Sequence, residues 1–167
     1  MDVGLVIIRA VSGVVLAAHG AQKLLGWFGG HGVSGTAAYF HTLGIRPGSL
    51  MAGMAGVAEL GGGLALGLGL LTPFAAALVL ATMLVAIGSA HAGKGLFAAN
   101  GGYELPLVVA SVAAGLAFAG PGSLSIDHVL GLDLAGPKWG AVGVALAVAG
   151  ALPPLLGRLA VTTQADR

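Results

Sequence analysis

The chain has 167 residues, 57% of them hydrophobic and only 8% charged, with 31 glycines and a formal charge of +1. Water-soluble domains carry about 25% charged residues, so this chain cannot cover a water-facing surface and its composition points to the bilayer as solvent. The small net charge excludes the basic footprint of a nucleic-acid-binding protein, and the absence of cysteine excludes disulfides, thiolate catalysis and cysteine metal ligands.

The first apolar stretch covers residues 3–25. It starts after Met1-Asp2, acidic where a secretory signal is basic, and Arg9 interrupts it, so it reads as a retained helix. A helix crossing the bilayer needs about 20 mostly apolar residues. Further segments at 50–71, 73–91, 103–120 and 138–157 meet or approach that length. Thr72-Pro73 alone separates the second from the third, a tight hairpin with proline at a helix start. In the fifth, Pro153-Pro154 is expected to break or kink the helix end. The architecture predicted is an all-α polytopic membrane protein, a four-helix bundle over 1–130 with a fifth transmembrane helix and short tail over 131–167 in the same domain.

Alternation of the spans puts both long connections, 26–49 and 92–102, on one face. The other face holds the short turn and residues 121–137. Within the first connection, Ser34 is positioned to cap a short helix over GTAAYFHTL, with Gly44 closing it and Pro47 beyond. Tyr39, Phe40 and Leu43 of that helix lie either on the membrane surface or over the bundle mouth. Lys23, Arg46 and Lys94 belong to the long-loop face, joined by Arg158 and Arg167, against Lys138 near the other face and Arg9 inside the first helix. The positive-inside rule then places the long loops and the C-terminus in the cytoplasm.

Two charges fall inside apolar segments, Arg9 in the first and Glu59 in the second. A charge at the bilayer centre costs about 2.5–3.5 kcal/mol on insertion scales, so each needs a partner. Counting from the helix ends at about 1.5 Å per residue leaves them roughly 8 Å apart along the membrane normal, and the reading is a buried Arg9–Glu59 pair. The alternative is that Arg9 snorkels to the interface and Glu59 is protonated. Gly63 and Gly67 have the small-xxx-small spacing of close helix contact and need no ligand to explain them.

His19, His91 and Glu104 share the level of the long-loop face, with Gln22, Lys23 and Lys94 nearby. Such a group can hydrogen-bond a quinone carbonyl or pass a proton. The competing reading is interfacial anchoring beside Trp27 and Tyr103. Helix periodicity sets Arg9 and Lys23 within about 40° of each other, with His19 about 80° from Arg9. No i, i+4 histidine pair or clustered ligand set argues for a metal, His31 and His41 read as surface loop residues, and no phosphate loop or nucleophile elbow occurs.

The stretches HGAQKLLGWFGGHG (19–32), AELGGGLALGLGLLTPFAA (58–76), AHAGKGLF (90–97), NGGYELPL (100–107) and GPGSLSID (120–127) together resemble the DoxX family of small bacterial membrane proteins. The resemblance runs in order over residues 3–130. It implies a four-helix membrane bundle in the bacterial plasma membrane, with related proteins that include a membrane subunit of thiosulfate:quinone oxidoreductase and others thought to act in redox or oxidative-stress assemblies. The fifth segment lies outside that pattern.

Two functions follow as expectations. In one, the chain is a quinone-interacting redox subunit with Arg9 and Glu59 at its polar centre and His19, Gln22, Lys23, His91 and Glu104 around the quinone. No cysteine and no flavin, haem or iron–sulfur motif is present, so no cofactor is held covalently and a protein partner must supply the electrons. In the other, the chain is a non-enzymatic scaffold or assembly factor. A transporter fits less well, because no inverted repeat supplies alternating access unless copies form an oligomer.

Overall fold

In a computed structural model the chain is described over residues 2–165, and every regular element among these is helical. The apolar segments become α1 (Asp2–Leu25), α3 (Gly48–Leu68), α4 (Thr72–Gly88), α5 (Glu104–Ala119) and α7 (Pro137–Ala165). Two short helices join them, α2 (Gly32–Thr42) and α6 (Ile126–Val129), with a 3-10 turn at Ala98–Asn100. By length and composition α1, α3 and the Pro137–Val161 part of α7 are able to cross a membrane, and α4 and α5 are shorter apolar helices packed among them.

Little hydrophobic force drives one apolar helix onto another in lipid, so close backbone contact has to replace it. The α1–α3 seam supplies that contact through glycine. A Cβ at Gly13 would sit 2.6 Å from the Gly63 carbonyl oxygen, one at Gly20 would sit 2.7 Å from that of Gly56, and one at Gly63 would meet the Ala17 nitrogen at 2.8 Å. Gly63 and Gly67 therefore serve helix packing, both facing Gly13. The core continues through Leu66, Val79, Ala113, Leu116 and Ala147, where α4 meets α5 and α7.

The ends of the helices behave differently from their sequence in two places. Ser34 caps nothing: α2 begins at Gly32 behind His31, and Ser34 lies exposed in its first turn. Pro153 and Pro154 do not end α7, which runs unbroken past them to Ala165. Proline inside a membrane helix is tolerated where neighbours compensate the lost hydrogen bonds. Past the prolines, Arg158 ties α7 back to the bundle, donating from Nε to the Leu43 carbonyl and from Nη1 to that of Gly88, each at 2.9 Å. The C-terminal part of α7 thus meets the long-connection face; Arg167 lies outside the described residues.

Candidate functional site

The predicted Arg9–Glu59 pair does not form. The glycine register explains why: Gly20 lies beside Gly56 and Leu60, and Gly13 beside Gly63 and Gly67, which carries Arg9 down to the level of Gly69. Ten residues of α3 then separate Arg9 from Glu59, about 15 Å at 1.5 Å per residue. Arg9 instead donates to the backbone carbonyls of Pro121 and, at 2.6 Å, Leu124, in the segment after α5. It also interacts electrostatically with Asp127, the first-turn acid of α6.

Asp127 is the residue that sequence reading missed. Its fully buried carboxylate accepts from the Leu71 N–H at 2.6 Å, the Thr72 N–H at 3.0 Å and the Thr72 hydroxyl at 2.8 Å. It caps α4 from 55 residues away. The local signal pointed elsewhere: Thr72 stands directly before Pro73 as a capping residue type, but its hydroxyl donates to Asp127 and the orphan N–H groups take their acceptor from there. Leu71 sits at φ 46°, a left-handed conformation unusual for a branched side chain, and its bond to Asp127 helps hold it there. Arg9 Nε is the buried side-chain polar atom without a partner among the described residues. This end of the molecule is a structural knot.

Glu59 finds its partner at the other end. Helical side chains lean toward the N-terminus of their helix, so Lys23, one turn past Glu59's level on α1, reaches back to it. Its Nζ lies 2.5 Å from Glu59 Oε2, with the two side chains 24% and 6% exposed. That bond is the sole hydrogen bond of the Glu59 side chain among the described residues, and it leaves two ammonium protons of Lys23 available as donors.

The pair faces a cavity of about 550 Å³ enclosed by α3, α4, α7 and α2, within the range of small-molecule sites. Its walls are apolar: Met51, Met54 and Ala58 from α3, Leu78, Ala81 and Val85 from α4, Gly150, Pro153 and Pro154 from α7. Tyr39, Phe40 and Leu43 form its roof, so α2 folds over the bundle mouth. Apart from the ion pair, polar groups are few. The Thr82 and Ser89 hydroxyls donate to carbonyls of their own helix, Val79 and Val85. His91 lines the mouth, its Nδ1 2.7 Å from the Gly101 carbonyl. A carbonyl only accepts, so Nδ1 donates in this bond and Nε2 is left for another partner.

Of the polar and charged site candidates named in the sequence, Lys23, Glu59 and His91 come together at this cavity. The others do not. His19 is exposed and lines no part of it, because the buried arc of α1 centres on Arg9, Leu16 and Gly20 and leaves His19 about 80° away. Gln22 donates to the Phe28 carbonyl at 3.0 Å and Glu104 accepts from the Ala98 N–H at 2.9 Å, so both shape loops. Lys94 is exposed in the second connection.

A sequence model of the DoxX family matches residues 4–92, more than half of the chain. The chain belongs to the DoxX family. The matched part of this DoxX chain contains α1 to α4 and every cavity-lining residue except Gly150, Pro153 and Pro154. Family membership and the apolar helices together make it an all-helical membrane protein. No curated protein and no solved structure matches the chain.

Proposed function

We propose that this DoxX protein binds the ring of a membrane quinone in the cavity and serves as the membrane subunit of a redox assembly. The observation that carries this reading is the Lys23–Glu59 ion pair set in an otherwise apolar cavity, with His91 at its mouth. A quinone needs such a site: apolar walls for the ring, a donor for a carbonyl oxygen, and an acceptor for the hydroxyl that replaces it on reduction. Lys23 supplies ammonium donors, the Glu59 carboxylate supplies an acceptor, and His91 Nε2 adds a further hydrogen-bonding group at the mouth. Reduction of a quinone takes two electrons and two protons. The electrons come from a redox-active partner protein, because the chain carries neither cysteine nor a flavin, haem or iron–sulfur motif; protons reach the ring through the Lys23–Glu59 pair and the mouth at His91. Lys23, Arg46, Lys94 and Arg158 gather at this end against Arg9 and Lys138 at the other, which favours a cytoplasmic cavity mouth in a bacterial plasma membrane.

The test is the amount of quinone that co-purifies in native-lipid particles. Wild type and His19→Ala are expected to retain near-stoichiometric quinone, while Lys23→Met, Glu59→Gln and His91→Ala lose most of it although folded. Quinone at the lipid background in every variant overturns the site and leaves a scaffold whose helices bind other proteins.

A further inference from the structure

The polar groups of the cavity lie at one end of a longer apolar path. On the outer side of α3 a second recess of about 560 Å³ runs over Leu50, Gly53 and Val57. Leu50, Met54 and Val57 form an exposed stripe of this candidate span, 56%, 57% and 62% exposed, so the recess faces the lipid. Met54, Ala58 and Leu78 line both the recess and the inner cavity. Those three side chains are therefore the wall between the ion pair and the membrane interior.

That wall is thin and adaptable. Ala58 contributes a single methyl group, and Met54, unbranched with several rotatable bonds, swings aside at low cost. Met54 and Leu78 are themselves exposed rather than packed shut. The polarity along the path is graded, with Lys23, Glu59 and His91 inside and, apart from Ser49, apolar side chains at the outer end. A water-soluble ligand has no use for such an exit. An amphiphile with a small hydrogen-bonding head and one long apolar tail matches it, since the inner cavity takes a drug-sized head and the tail has to leave.

We propose that Met54, Ala58 and Leu78 form a lateral portal: the tail of a single-tailed amphiphile passes between α3 and α4 there and lies in the recess along Leu50 and Val57. The ligand reaches the site from within the membrane, not from water. This rests on the head-group site proposed above and adds the ligand's shape and route.

The test compares two probes in lipid nanodiscs, a benzoquinone with a long isoprenoid tail and the same ring without a tail. Met54→Trp and Leu78→Trp, which also border the head-group cavity, are expected to weaken binding of the tailed probe at least tenfold more than they weaken binding of the tail-less ring; Met54→Ala is expected to bind the tailed probe as well as or better than wild type. Leu64→Trp, on the lipid-facing side of α3 away from the portal, controls for the bulk of tryptophan. If both probes bind wild type and the tryptophan variants treat them alike, the portal is wrong and the head-group site stands. If neither probe binds wild type, the head-group reading fails and takes the portal with it.

Discussion

The two ends of this bundle each bury a basic and an acidic side chain, and use them in opposite ways. At the short-turn end, Asp127 spends its carboxylate on three donors around Leu71 and Thr72, and Arg9 spends its terminal nitrogens on the Pro121 and Leu124 carbonyls. No cavity adjoins them among those described. At the other end Lys23 and Glu59 hold only each other, and they face about 550 Å³ of apolar space. Buried charge therefore does not mark function by itself. What separates the two ends is whether hydrogen-bonding capacity is consumed by the protein or left facing room for a ligand.

Mutations break this contrast in graded steps. The largest effect is expected at the closed end. Asp127→Ala strips the α4 cap and leaves Arg9 without its counter-charge, which costs about 3–5 kcal/mol for a broken buried charge network. Thermal unfolding in detergent checks it, and quinone content per folded molecule should not change. A loss of quinone with no loss of stability would reverse the roles assigned to the two ends.

Next comes the seam that sets the register of both ends. Gly20→Ala drives a methyl group into the Gly56 carbonyl and the Leu60 backbone, an overpacking cost of about 1–3 kcal/mol. Because Lys23 follows Gly20 by less than one turn, bound quinone should fall along with stability. Gly4→Ala, where a Cβ meets nothing within 4 Å, should change neither.

A double-mutant cycle then asks which base belongs to Glu59. Lys23→Met with Glu59→Gln should show coupling of about 1 kcal/mol, inside the range for side chains in contact, whereas Arg9→Met with Glu59→Gln should be additive to about 0.5 kcal/mol. Coupling between Arg9 and Glu59 instead would mean a different α1–α3 register.

The smallest effects fall on the two histidines. His19→Ala, an exposed change, should stay within about 0.5 kcal/mol of wild type. His91→Ala loses the bond to Gly101, a cost of about 0.5–1.5 kcal/mol, and should lower quinone content where His19→Ala does not. Equal quinone in the two variants would remove His91 from the site.

Much of the helical layout was legible because apolar length and turn residues are local signals. The Thr72-Pro73 hairpin, the α2 helix and the closure of that segment near Gly44 all answer to nearest-neighbour chemistry. Arg9 and Glu59 were legible as buried for the same reason, each standing alone in an apolar run. The capping of α2 was misread because Ser34 falls two residues inside a helix that starts at Gly32. The double proline does not break the helix, because Arg158 anchors the turns beyond it to Leu43 and Gly88.

The site was legible only in its ingredients. Lys23 and His91 were named, yet His19 and Glu104 stood beside them with equal claim, since all four fall near one end of their helices. Rotation about the helix axis and the offset between neighbours separate them, and no run of residues states either.

By itself the sequence determined the solvent, the helices, the face that carries the long connections and the charges that require partners, because each depends on composition or on spacing within one segment. The tertiary structure alone decided the partners. Glycine contacts between α1 and α3 fix a register that sends Arg9 toward Asp127 and brings Lys23 back to Glu59. A charge in an apolar medium must pair with whatever donor or acceptor the packing puts within reach, and that reach is set between helices rather than along them.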